Sequence, residues 1–208
     1  MIIVHHLNDS RSQRILWLLE ELALPYTVRA YARHPETRLA PEALAAVHPL
    51  GKAPVVELDG MVLVESGAII ETLIRRCGGG RLMPEPDSPD YDRALMWLHY
   101  AEGSAMLPLM LKLYTDRLGA AAAPLQPRIK AELARHLGFI DRALAGRRFL
   151  VGEALTAADI QMSFVAEVAG ALGLRGPYPA MSDWIARLHA RPAYQRALEQ
   201  GGVYSLAV

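Results

Sequence analysis

Residues 48–66 read HPLGKAPVVELDGMVLVES, and this stretch decides the fold. His48 to Pro54 breaks all regular structure. Val55–Leu58 and Met61–Val64 then flank Asp59-Gly60, the pair best suited to a two-residue hairpin turn. Two antiparallel strands are therefore expected, followed by a helix that opens at Glu65-Ser66 and runs to about Arg76 before the glycines at 78–80. Working outward, Ile2–His6 is a short β-branched run. Leu7-Asn8-Asp9-Ser10 supplies turn and cap chemistry before an apolar-periodic helix at Ile15, Leu16, Leu18, Leu19 and Leu22. Leu24-Pro25 stops that helix, and YTVRAY (26–31) resumes extended structure, so the start of the chain is a βαβ unit with parallel strands. A short helix from Pro41 to Val47 completes the order βαβαββα over residues 1–80.

Residues 83–89, MPEPDSP, are proline-rich and acidic with no apolar period, which makes 81–90 the expected linker. Beyond it, 91–208 shows helical periodicity only: about 91–118, 125–144, 157–172, 181–190 and 193–200. The expected class is an α/β domain joined to an all-α domain. Pro108 should kink or interrupt the first of these helices, because it removes a backbone donor in mid-pattern.

Composition excludes several function classes. The chain has 208 residues, 52% of them hydrophobic, with 22 Lys+Arg balanced by 22 Asp+Glu. Zero net charge leaves no basic footprint for nucleic acid. One cysteine, Cys77, forms neither an intrachain disulfide nor a two-thiol redox pair; it reads as a small buried hydrophobe, and with the absence of a signal peptide it points to a cytoplasmic protein. No stretch approaches the roughly 20 apolar residues of a membrane span. No histidines pair at helical ligand spacing, so no metal is expected, and adjacent His5 and His6 must face opposite sides of their strand.

Three local features could carry chemistry. Asn8 to Ser12 leaves a strand and enters a helix, so hydroxyls and open N–H groups converge where an anion is stabilised; a plain serine cap by itself also explains the loop. Pro54, cis or trans, sits at the mouth of a strand that should pair with the first, and a cis bond would leave the Ala53 backbone open to an extended ligand. Glu65-Ser66, at a helix start, offers an acceptor for an ammonium and a cradle for a carboxylate.

Their order and spacing turn these signals into one. SRSQRILWLLEEL (10–22), HPLGKAPVVELDG (48–60), ESGAIIETLI (65–74) and FLVGEALTAADIQMSF (149–164) together resemble the cytosolic glutathione transferase family, nearest its bacterial and fungal branches. The resemblance spans the whole chain and implies a thioredoxin-like N-terminal domain over 1–80 and a helical domain over 91–208. It implies a cis Pro54, backbone pairing of Ala53 with the cysteinyl part of glutathione, and Glu65 and Ser66 on the γ-glutamyl end. Lys52 becomes the candidate partner of the glycine carboxylate. Thr156 and Asp159 match the family's capping box, with Leu155 as its hydrophobic staple.

The family's catalytic residue varies by class. Here His5 stands at the tyrosine position, Asp9 near the cysteine position, and Ser10 at the serine position, with Ser12 its competitor. The resemblance thus implies a serine that donates to the glutathione sulfur. This lowers a thiol pKa of roughly 8.5 and promotes attack on a small hydrophobic electrophile. The electrophile is expected in an interdomain cleft against Trp97, Tyr100, Met106 and Met110, residues that also fit a plain helical core. Glutathione is a co-substrate and no further cofactor is called for. A homodimer is implied, with Tyr100–Gly103 toward the partner and Glu102 near the neighbouring glutathione ammonium. The alternative function is a glutathione-binding or protein-interaction module of the same fold without turnover.

Overall fold

The structure is a computed structural model that describes residues 1–208 throughout. Strands β1 (Ile2–Leu7), β2 (Thr27–Tyr31), β3 (Val55–Leu58) and β4 (Met61–Leu63) form one sheet in the order β2-β1-β3-β4. Helices α1 (Ser12–Leu22), α2 (Glu42–Val47) and α3 (Ser66–Arg76) interleave with them, so the expected βαβαββα order is present. β1 is parallel to β2 and antiparallel to β3, and β3 is antiparallel to β4. Asp59 and Gly60 both have positive φ (50° and 83°), as a primed two-residue turn requires. All six residues of β1 are buried because it lies inside the sheet, whereas the edge strand β2 is largely exposed.

The chain divides into two compact units, Met1–Met83 with His189–Ser205, and Pro84–Leu188 with Leu206–Val208. The break falls inside the expected linker, but α9 (Pro192–Gly201) departs from the expected 91–208 block and belongs to the first unit. α9 packs on α1: Trp17 meets Tyr194 edge to face at 5.4 Å, and Arg191 Nε and Arg196 Nε reach Glu21 and Glu20 at 2.6 and 2.7 Å. Both carboxylates project from the last turns of α1, a relation that no local periodicity encodes. Cys77, expected to be buried, is only partly so, because it caps the end of α3.

The second unit is helical: α4 (Pro89–Tyr100), α5 (Met106–Asp116), α6 (Gln126–Leu144), α7 (Ala157–Ala171) and α8 (Pro179–His189). The expected long helix through Pro108 is broken at Ala101–Ala105, a π-helical segment between α4 and α5. The break lies N-terminal to the proline because Pro108 deprives Ser104, four residues earlier, of a helical donor. Residues 119–125 form a 3-10 turn that fills the gap left between the expected helices 91–118 and 125–144. α7 is buried nearly all round and is the central helix of this unit. Its capping box is complete, with Asp159 Oδ2 accepting from Thr156 N–H at 3.0 Å, and Leu155 is buried beside it. No helix is long and apolar enough to cross a membrane.

Candidate active site

The candidate site grows from the C-terminal end of β1. Asn8 and Asp9 carry the chain off the strand, and Asp9 adopts φ 50°, a conformation that aspartate tolerates better than most side chains. Three tethers hold this turn. Arg33 Nε and Nη2 donate to the carbonyls of Asn8 and Asp9 at 2.9 and 3.0 Å. Arg38 Nη2 pairs with Asp9 Oδ2 at 2.6 Å. Ser205 donates from both backbone N–H and hydroxyl to Asp9 Oδ1 at 2.7 and 2.9 Å. Partial burial pushes the Asp9 carboxyl up, but the Ser205 bonds and Arg38 outweigh it and hold the group below its ordinary range.

Ser10 and Ser12 follow at the start of α1, both buried, with their hydroxyl oxygens 2.8 Å apart. Ser10 Oγ accepts the Ser12 N–H at 3.2 Å, so it takes up one of the helix's open donors. Ser12, the competitor of Ser10, is not spent on solvent. Instead it is fully buried, with Oγ 2.9 Å from His6 Nδ1 and 3.2 Å from both the N–H and the carbonyl of Leu7. Of the two, Ser10 sits at the helix dipole's positive end and retains 5% exposure. His5 faces the other side of β1, where Tyr31 Oη and Glu57 Oε1 each lie 2.8 Å from a ring nitrogen.

Ala53-Pro54 is cis. The β1–β3 ladder begins at His5 opposite Val55, which sets Ala53 beside Leu7 but beyond the last paired residue. Lys52 is exposed next to it. Glu65, exposed, caps α3 with φ 67°. That left-handed conformation is costly for glutamate and turns Ser66 into the helix. Ser66 is 3% exposed, and its Oγ accepts from Arg14 Nη1 at 2.9 Å. Ser10, Ser12, Ala53, Pro54 and Ser66 therefore gather in one unit, at two helix N-termini and an open strand mouth. Helix N-termini offer donors to carboxylates, and an unpaired strand mouth offers backbone groups to an extended chain.

Sequence reasoning passed over Arg14, His6 and the Asp9–Ser205 tie. The first turn of α1 carries Ser12, Gln13 and Arg14, which a periodicity argument assigns to solvent, yet all three are buried.

The remaining expected residues lie in the second unit. Tyr100 Oη is 2.6 Å from His136 Nδ1, and burial pushes its phenol up to about 12. Glu102, in the π segment, and Met110 are half-buried. Met106, expected to face a ligand, is 2% exposed and fills the interior of its unit, as does Trp97 at 4%. No group of three or more His, Cys, Asp and Glu side chains converges as a metal site would require.

The chain is similar to known proteins over most of its length. A profile for the glutathione S-transferase N-terminal domain matches residues 10–76, and one for the C-terminal domain matches residues 103–192. Glutathione S-transferase 3 of Schizosaccharomyces pombe is 34% identical, covering 96% of this chain and 88% of its own. Glutathione S-transferase 1 of Saccharomyces cerevisiae is 28% identical, with 96% and 95% covered. A crystal structure of a glutathione S-transferase from Actinobacillus pleuropneumoniae superposes with a TM-score of 0.92 at 33% identity, covering 100% of this chain and 96% of that one.

Proposed function

Since the chain belongs to the glutathione S-transferase family, we propose that it binds glutathione in the first unit and transfers its sulfur to a small hydrophobic electrophile. The observation that carries this reading is the Ser10–Ser12 hydroxyl pair at the start of α1, in the same unit as the Arg14-backed Ser66 at the start of α3. In this reading Ser66 and the following N–H groups take the γ-glutamyl carboxylate, and Glu65 takes the ammonium. The Ala53 backbone pairs with the cysteinyl residue, and Lys52 meets the glycine carboxylate. Ser10 then donates to the sulfur, favouring thiolate over thiol at neutral pH. The thiolate forms a carbon–sulfur bond as the electrophile expels its leaving group.

A homodimer accompanies this reading. Support comes from exposed apolar side chains on and just beyond α5, Leu107 (59%), Tyr114 (56%) and Leu118 (61%), which a monomer would leave in water. Leu107 lies one turn beyond the Tyr100–Gly103 segment, where Glu102 is the residue proposed to reach a neighbouring glutathione.

The test is retention on immobilised glutathione followed by a conjugation assay with a chloronitrobenzene. Retention with chloride release supports the proposal. Retention without turnover leaves a glutathione-binding module, and failure to bind overturns both readings.

A further inference from the structure

His6 is 2% exposed, and its two ring nitrogens engage different parts of the first unit. On one side the Gly201 backbone at the end of α9 hydrogen-bonds the ring in the sense that favours its protonation, so the carbonyl accepts from a ring N–H. A Cβ at position 201 would stand 3.2 Å from Nε2, which identifies Nε2 as the nitrogen on that side. On the other side Nδ1 is left as an acceptor 2.9 Å from Ser12 Oγ, closer than the Leu7 carbonyl at 3.2 Å that competes for the same hydrogen, so the Ser12 hydroxyl is assigned to the ring. Ser12 Oγ in turn accepts from the Ser10 hydroxyl at 2.8 Å. The result is a directed chain from Ser10 through Ser12 to His6 and on to the Gly201 carbonyl.

A glutathione thiol on Ser10 extends this chain by one link, giving four links in all, counted from the three existing contacts. The neutral ring, two hydroxyls and the thiol supply one hydrogen each, so every link is filled. If the thiol's proton left for solvent, one link would be empty and two lone pairs would oppose each other in a dry interior, which is costly.

We propose that His6 receives the thiol proton through the two serines. The S–H bond breaks as Ser10 Oγ takes the proton. The Ser10 hydrogen passes to Ser12 Oγ, and the Ser12 hydrogen passes to His6 Nδ1. A thiolate held by the Ser10 hydroxyl and an imidazolium held by Ser12 and Gly201 remain, with no change in net charge. The step rests on the proposed placement of the sulfur beside Ser10.

Polar groups around the ring favour its charged form, while burial opposes it. Gln13 is 2% exposed, and neither its Oε1 nor its Nε2 has a hydrogen-bond partner. Its Oε1 would lie 2.7 Å from a Cβ at 201, so a spare carbonyl oxygen stands on the Nε2 side of the ring. The Asp9 carboxylate also favours the charged ring. Those groups face His6 from the loop, α1 and α9, and His5 points away to Glu57 and Tyr31. Burial lowers the ring's pKa to about 4 in the free protein, which keeps Nδ1 vacant at neutral pH and opposes the transfer, a cost that the thiolate's attraction has to offset. A thiolate at the far end of the chain moves it upward.

The experiment measures three quantities on adding glutathione to the full chain at neutral pH. They are thiolate absorbance, proton release to an indicator dye, and the protonation state of His6 by nitrogen-resolved NMR. The expected result is thiolate formation with little proton release and an imidazolium at His6, while S-methylglutathione leaves His6 neutral. In His6→Asn, whose Oδ1 accepts from Ser12 but takes no proton, about one proton should be released per thiolate, and thiolate at neutral pH should fall about tenfold. Thiolate formation with full proton release and a neutral His6 in the unaltered protein overturns the relay while leaving the role of Ser10 intact. Absence of thiolate overturns the placement of the sulfur and the relay with it. If His6→Asn does not fold, the dye and NMR readings on the unaltered protein decide.

Discussion

Arg14 Nη1 donates to Ser66 Oγ at 2.9 Å, tying the first turn of α1 to the first residue of α3 across 52 positions of sequence. The guanidinium is 1% exposed, so its charge acts through a poorly screening interior. By donating to Ser66 Oγ it leaves the serine's own hydrogen to point elsewhere, and it adds a cation to the positive end of the α3 dipole.

Arg14→Met should therefore weaken glutathione binding about tenfold or more, the equivalent of one charge-assisted hydrogen bond of about 1.5–3 kcal/mol. Calorimetric titration with S-methylglutathione isolates this effect from thiol ionisation. Unchanged affinity in a folded variant would show that Arg14 only supports packing.

Ser10→Ala should cut turnover about ten- to a thousandfold at neutral pH, with little change in glutathione affinity, as a lost donor of about 1.5–4 kcal/mol predicts. Thiolate absorbance against pH is the direct readout. In Ser12→Ala the effect should be smaller but coupled to His6, because Ser12 touches the ring and is itself fully buried. A large thiolate loss in Ser12→Ala together with none in Ser10→Ala would reassign the donor.

Stability of the free protein should fall on acidification from pH 6.5 toward pH 4. Burial lowers the His6 pKa from its ordinary 6.5 to about 4. In that window the unfolded chain binds the proton and the folded one does not, so stability rises with pH and its loss approaches about 3 kcal/mol at the acid end. Urea unfolding at several pH values, compared with His6→Asn, isolates this contribution. An equal slope in both proteins would assign the acid sensitivity to other groups.

Asp159→Ala should destabilise the second unit by about 3–5 kcal/mol. The carboxylate accepts from Leu150 N–H at 2.9 Å, from Thr156 N–H and Oγ1–H at 3.0 and 3.1 Å, and from Trp184 Nε1–H at 3.0 Å. Burial pushes its pKa up, against those four donors. Urea denaturation monitored by tryptophan fluorescence reads the loss, and a shift below about 1 kcal/mol would limit Asp159 to an ordinary helix cap.

By itself the sequence determined what depends on near neighbours. The Asp59-Gly60 turn, the capping box of Thr156 and Asp159, and the strand and helix order of residues 1–80 are each specified within a few residues by backbone preference or periodicity. The family motifs carried Ser10, Ala53, Pro54, Glu65 and Ser66 as a set, although nothing in their spacing separated Ser10 from Ser12. Tertiary structure alone decided which polar groups are buried and what they touch. Arg14 meets Ser66 across 52 positions, Ser205 meets Asp9 across 196, and α9 returns to pack on α1 and bring Gly201 to His6. A polar residue in the first turn of a helix looks the same in sequence whether it faces water or a partner from the far end of the chain. Only folding sets the desolvation and the hydrogen-bond geometry that separate the two.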